Sequence, residues 1–434
     1  MRRLLSLVLA LGLVLPVGVS SVAVSSAIAD EAPDRELVVT VTVDERRVVP
    51  IGIDHAADWG DVLIESGLAT AEGLKRGSYI RRGIAIGDRR LGTQDTVQLS
   101  FPEGSLVFQS VGFWYGPADA ALLGGTGQFL GARGSAQVTI DGATQEWRIM
   151  LLGDTGVRLT SPTVLEYERE LLSTQRIQLA EPGSTLGNMA QTTGQLVRDD
   201  SSVVADYTAT STVAQEMPGD RERRAVQAMF EFGDGTLFVN GMIVAPTTTL
   251  PTAPARYVIS GGTGVFAGAA GMADYLPGDG ATRPAWRFTL YGLEPGAQPF
   301  VPVLTDRQVQ TRYARVLASQ TAQGAVGDLV LAGGWTREGD RSRGRWAVSA
   351  QTVSVVREDR EIVRQNLLSF VQYSWGTDRI LVLGVTRTAR AGGPAVTTER
   401  AVIGGLGAYL GVSGSVTMLP RTAGQWRTTY NLVR

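Results

Sequence analysis

The chain has 434 residues, 53 of them glycine, with no cysteine, a single histidine (His55) and a formal net charge of −2. These counts exclude disulfides, thiolate metal sites and cysteine nucleophiles, and leave a Ser-His-Asp triad or a multi-histidine metal site resting on one residue. Charges of both signs are interspersed without a basic stripe, so nucleic acid is not an expected partner, and nothing in the composition asks for a metal or a cofactor.

The N-terminal MRRLLSLVLALGLVLPVGVSSVAVSSAIAD has a basic start, an apolar run broken by Pro16 and Gly18, and small residues at Ala27 and Ala29. It reads as an export signal over residues 1–29, cleaved after Ala29, which makes the protein secreted or extracytoplasmic; if uncleaved, the same segment is a membrane anchor. No later stretch stays apolar long enough to span a bilayer. His55, in IGIDHAADWGD, reads as a surface histidine just before a turn.

From residue 60 the chain is punctuated in a fixed order. GDVLIESG (60–67) is the first landmark of the first unit and is followed by the alternating stretches TVQLSF (96–101) and SLVFQSVGF (105–113). FWYG then carries Trp114 and Tyr115, GGTGQFLGARG occupies 124–134, and Trp147-Arg148 closes the unit. The second unit repeats this order with TVLEYERELL (163–172), GNMAQTTG (187–194), RAVQAMFEF (224–232), GGTGVFAGAAG (261–271) and Trp286-Arg287. The third has GDLVLAGG (327–334), RILVLGVT (379–386), GGLGAYLGVSG (404–414) and Trp426-Arg427. The glycine motifs begin at residues 124, 261 and 404, a domain-sized period, so the mature chain reads as three copies of one unit over 35–159, 163–293 and 303–434. Between landmarks the period is two, so each unit is predicted to be antiparallel strands, with linkers near Thr160-Ser161-Pro162 and in GLEPGAQPFVP (292–302).

The glycine motif is not a dinucleotide fingerprint. Leu130, Ala267 and Leu410 stand where the third glycine belongs, and strand-like alternation follows instead of a helix whose N-terminus would receive a phosphate. Glycines at fixed places permit positive φ and close approach of backbones, and the aromatic at one offset (Phe129, Phe266, Tyr409) is predicted to plug one end of each unit.

Gly-Gly-Thr-Gly-x-Phe-x-Gly-Ala-x-Gly, with FGDGTLFVNG (232–241) some twenty residues before its second copy, resembles the signature of the allene oxide cyclase and dirigent protein superfamily. The resemblance implies an all-β chain of three tandem eight-stranded antiparallel barrels of the calycin-like kind, each around an apolar cavity. Because plant members tend to be trimeric, it also implies a monomer that is a covalent pseudo-trimer with pseudo-threefold packing. Family members cyclise or couple reactive hydrophobic intermediates without a cofactor. The resemblance therefore implies an exported cyclase or isomerase acting on a conjugated small molecule such as a polyketide or an oxidised lipid, or else a non-catalytic barrel that binds such a ligand or a protein partner.

In allene oxide cyclases an acid and an amide two residues apart on the first strand line the cavity. The second unit offers Glu166-Tyr167-Glu168, which period two places on one strand face. Facing inward, Glu166 and Glu168 form a candidate acid–base pair; facing outward they are surface charges. Tyr115 is the third catalytic candidate. Trp114, Tyr167, Met229 and Met242 are the candidate cavity wall, with core filling as the other reading of the methionines. The Trp-Arg pairs are predicted to close the barrels with tryptophan inside and arginine outside.

Overall fold

Alternating runs bounded by Gly, Asp and Pro leave no helical period to compete with, and the chain folds into strands accordingly. The computed structural model describes residues 35–50, 60–86, 92–112, 119–152, 162–180, 183–247, 250–279, 282–291, 300–316, 325–338, 341–358, 361–388, 396–421 and 424–433. The leader, His55, Trp114, Tyr115 and the stretch 292–299 lie outside the described residues. Among the described residues no helix is long and apolar enough to cross a membrane.

The first barrel comprises β1 (Arg35–Val49), β2 (Val62–Ala71), β3 (Gly77–Ala85), β4 (Thr93–Phe101), β5 (Gly104–Gly112), β6 (Ala120–Gly125), β7 (Arg133–Asp141) and β8 (Thr144–Leu152). The second comprises β9 (Thr163–Ile177), β10 (Met189–Val197), β11 (Val203–Met217), β12 (Arg221–Phe232), β13 (Gly235–Pro246), β14 (Ala255–Gly264), β15 (Ala270–Leu276) and β16 (Ala285–Tyr291). The third comprises β17 (Phe300–Val316), β18 (Leu329–Glu338), β19 (Arg341–Glu358), β20 (Glu361–Trp375), β21 (Asp378–Thr388), β22 (Thr398–Leu406), β23 (Ser413–Pro420) and β24 (Gln425–Val433). In each, neighbours pair antiparallel and the last strand returns to the first, so three closed eight-stranded barrels follow one another and no sheet edge is left to template aggregation. β17 begins at Phe300, inside the stretch predicted to be linker.

Each glycine motif ends a sixth strand and leads into the seventh with no α-helix between, only a single 3-10 turn in the first barrel (Gly127–Phe129) and in the third (Gly407–Tyr409). Gly127, Gly264 and Gly407 turn the chain at φ values of 61°, 59° and 63°, a conformation that favours glycine. The aromatic two residues on then folds back into its barrel: Phe129 and Phe266 are buried, and Tyr409 is partly buried. The motif is a barrel-end plug.

The same motif also joins the barrels. A Cβ on Gly124 would lie 2.6 Å from Val258 of the second barrel, one on Gly261 3.3 Å from Ile403 of the third, and one on Gly404 3.2 Å from Ala121 of the first. The turn before each second strand closes the same ring in the opposite sense: Gly187 faces Val49, Gly60 faces Val316, and Gly327 faces Ile177. Each barrel thus offers equivalent edges to the next, which is pseudo-threefold packing, and residues 33–434 form one compact unit. Hydrophobic clusters shared by all three barrels cover these edges, one including Val107, Phe238 and Leu381 and the other Val62, Ile177 and Leu329.

Strand register corrects one landmark. Trp147 pairs with Val39 and Val138, and Trp286 with Tyr167 and Tyr275. In the third barrel that place is held by Thr428, opposite Asp306 and Met418. Trp426 enters the interior one inward position earlier, so the third Trp-Arg pair is displaced by two residues.

Candidate functional site

The shared register makes the three interiors comparable residue by residue. A glycine of the second strand faces an aromatic of the third: Gly67 with Tyr79, Gly194 with Tyr207, Gly334 with Trp346. Two residues before that glycine stand Glu65, Thr192 and Ala332; two after the aromatic stand Arg81, Ala209 and Val348. On the fourth strand the matching inward position holds Asp95, Val226 and Ser369.

In the first barrel these three positions are charged and fill the interior. Arg81 lies 3.2 Å from Glu65 through Nη1 and 3.0 Å from Asp95 through both Nε and Nη2, and donates to Thr93 Oγ1 at 2.8 Å. Tyr79 donates to Glu65 at 2.8 Å, and Arg46 adds a 2.6 Å pair from the rim. Burial raises the Asp95 carboxyl to about 6 against the pull of Arg81, and burial, followed by the Glu65 charge, pushes the Tyr79 phenol well up.

In the second barrel Thr192, Ala209 and Val226 are short, and a cavity of about 620 Å³ opens in their place. Its floor is aromatic, with Tyr207, Tyr257, Tyr275 and Trp286, and its upper wall includes Val226, Ile243, Leu250 and Pro251. Below the floor Tyr167 packs on Phe232 and Phe232 on Phe266, sealing the glycine-motif end. Above it a vestibule of about 330 Å³ shares Arg176, Ala190, Ser211 and Arg224 with the cavity and adds Glu222. Arg224 is held by the Glu222 carboxylate and donates to the Pro246 carbonyl at 2.7 Å. Arg169 is only 7 % exposed. Its Nε donates to the Tyr207 hydroxyl and its Nη1 to the Tyr275 hydroxyl at 3.2 Å, while its guanidinium carbon lies 5.5 and 5.6 Å from the two ring centroids. Nη2 is buried in the chamber wall with no hydrogen-bond partner. Burial raises the phenols of Tyr207 and Tyr257, so both stay protonated at neutral pH.

The third barrel keeps a cavity of only about 60 Å³, crowded by Trp346, Trp426, Met418 and Arg400. Its first strand places Asp306 and Gln308 inward, 2 % and 0 % exposed. Burial raises Asp306 to about 6 against the pull of Arg343 and Trp375. This acid and amide, two residues apart on a first strand, match the spacing that the family resemblance implies. The signal stands in TDRQVQ (305–310), where period two puts both residues on one face.

Glu166 and Glu168 face outward. Glu166 is 46 % exposed and pairs with Arg287 at 2.7 Å, and Glu168 pairs with Arg283 at 3.4 Å. On β9 the inward set is Leu165, Tyr167 and Arg169, so alternation sends both carboxylates to the surface, and the interior receives a cation in place of the expected acid pair. Tyr167 lies inside the barrel but beneath the floor. Met229 belongs to the cluster between barrels, and Met242 lines a narrow crevice that also holds Arg82 and Gln98 of the first barrel; neither lines the chamber. Sequence reasoning misses Arg169, because beside two glutamates an arginine has every mark of a surface residue.

No protein-family model matches the chain, and no curated protein matches it. Among solved structures it is similar to a pyocyanin demethylase, at 19% identity over 30% of this chain and 99% of that chain, with a TM-score of 0.26. The functional reading therefore rests on the geometry of the site itself.

Proposed function

We propose that the second barrel is the working site of an exported, cofactor-independent cyclase or isomerase that holds a hydrophobic, conjugated small molecule for intramolecular ring closure. The observation that carries this reading is the chamber of about 620 Å³, within the range of small-molecule sites, walled largely by aromatic and aliphatic side chains, with Arg169 between two phenols and with Arg176 and Arg224 where it meets the vestibule. The glycine signature and the barrel fold support a place near the allene oxide cyclases and dirigent proteins, and the basic, apolar N-terminal segment supports export.

No carboxylate lines the chamber among the described residues, and Glu222 in the vestibule is neutralised by Arg224. The chemistry that fits is selection of one reactive conformer, which can supply about 7 to 11 kcal/mol when reacting groups are well oriented. The Tyr207 and Tyr275 hydroxyls accept from Arg169, which leaves their O–H groups to donate to an oxygen of the bound ligand and so fix its orientation. Binding without turnover is the second reading, favoured by the same lack of a chamber carboxylate.

Ala209→Trp fills the chamber from the position that Arg81 occupies in the first barrel. With a linear conjugated carbonyl substrate followed by absorbance, this variant is expected to lose turnover while Glu166→Gln keeps it. Equal turnover in the filled variant overturns the assignment, and tight binding without turnover in the unmodified protein leaves a carrier.

A further inference from the structure

Resting on the reading of the second barrel as a ligand chamber, we infer that its ligand is an organic anion of carboxylate type that enters head first, its charged end on Arg169 at the floor and its apolar body toward the mouth. Direction follows from the strand. Along β9 the inward residues run from Leu165 and Tyr167, at the end sealed by Phe266, through Arg169 to Thr174 and Arg176, at the open end shared with the vestibule. The buried cation is therefore deep, and the apolar wall formed by Val226, Ile243, Leu250 and Pro251 lies above it.

Charge selects the head. The chamber wall carries Arg169, Arg176 and Arg224 and no carboxylate among its described residues, so a cationic ligand is repelled. Arg224 already holds Glu222 and the Pro246 carbonyl, whereas Arg169 Nη2 is buried without a partner. A neutral apolar ligand leaves that N–H unsatisfied and displaces any water that served it, while a carboxylate oxygen satisfies it with a charge-assisted bond and receives the two phenolic donors as well. Arg176, exposed at the rim, adds long-range attraction for an incoming anion.

The test is a fluorescence titration of the full chain with an 18-carbon conjugated tetraene carboxylic acid and, separately, with its methyl ester, at pH 7.5. The acid is expected to bind at least tenfold more tightly than the ester. Arg169→Met is expected to erase that preference, and Arg169→Lys to restore part of it. Equal affinity for acid and ester overturns the anionic head and leaves the chamber standing; failure of both probes to bind overturns the chamber as well. Should Arg169→Met fail to fold, the acid-to-ester ratio on the unmodified protein still decides. A preference that survives in Arg169→Met but disappears in Arg176→Met overturns the head-first orientation.

Discussion

The first and second barrels share one register, yet one is solid and the other hollow, and the difference lies largely in three side chains. Glu65, Arg81 and Asp95 bolt the first interior; Thr192, Ala209 and Val226 leave the second open. Closure of a barrel fixes the backbone and the inward positions, and the volume left inside is whatever the inward side chains do not fill. A guanidinium with two carboxylates is an expensive filler because all three groups must leave water, and it holds only while every partner is present. The hollow barrel has the complementary arrangement at its floor, with the buried cation of Arg169 steadied by phenols rather than acids. One scaffold thus yields a structural barrel and a receptive one.

The largest expected effect is on the bolt. Arg81→Ala strands the buried Asp95 carboxylate and leaves Glu65 to Arg46 and Tyr79 alone, and is expected to cost about 3–5 kcal/mol in denaturant unfolding. Removing the charges together, as Glu65→Thr, Arg81→Ala and Asp95→Val, is expected to cost much less than that and to open a probe-binding cavity in the first barrel. If the triple variant is the less stable of the two, the bolt is not what distinguishes the barrels.

Conversely, Ala209→Trp is expected to weaken binding of the conjugated probe roughly a hundredfold, about 2.7 kcal/mol. The packing of the barrels is probed by Gly187→Ala, whose Cβ would lie 2.6 Å from Val49 at a φ of +87°. Strain and overpacking together are expected to cost about 1–3 kcal/mol by thermal or chemical unfolding. Gly183→Ala, at φ +94° with nothing within 4 Å, isolates the backbone contribution and should cost less.

Acid should act in an unusual direction. Asp95 and Asp306 are both raised to about 6 by burial, so the folded chain keeps these protons at pH values where the unfolded chain has released them. Their contribution to stability is therefore gained as the pH falls through 6 toward the ordinary aspartate range and lost as it rises again, each tenfold difference in acidity between the folded and unfolded carboxyl being worth about 1.4 kcal/mol. Asp306→Asn is expected to flatten part of the pH 5–7 dependence of the unfolding midpoint; an unchanged slope would remove Asp306 from the account. The smallest effect belongs to Glu166→Gln, expected within about 0.5 kcal/mol of the parent because an exposed ion pair contributes little.

Much of this architecture was legible in the chain itself. Period two between Gly, Asp and Pro stops gives strands, and three ordered sets of landmarks give three like units. The failed dinucleotide spacing at Leu130, Ala267 and Leu410, with alternation following, makes the glycine motif a turn and not a phosphate loop. These signals are local, because backbone conformation and strand alternation are set by near neighbours.

What only the tertiary structure decided is which face of each strand turns inward and how much room remains. Alternation puts Glu166 and Glu168 on one face but leaves open which; the choice falls to Leu165, Tyr167 and Arg169, whose inward side matches the register of β16 and β10. Met229 and Met242 read as wall or core with equal ease until neighbouring barrels cover their side of the sheet. Trp426 resembles Trp147 and Trp286 in sequence, yet strand pairing shifts it by one inward step. The chamber itself is encoded by no single segment: Arg169, Tyr207, Tyr275 and Trp286 come from four strands spread over more than a hundred residues, and a volume enclosed by eight strands exists only once the last has paired with the first.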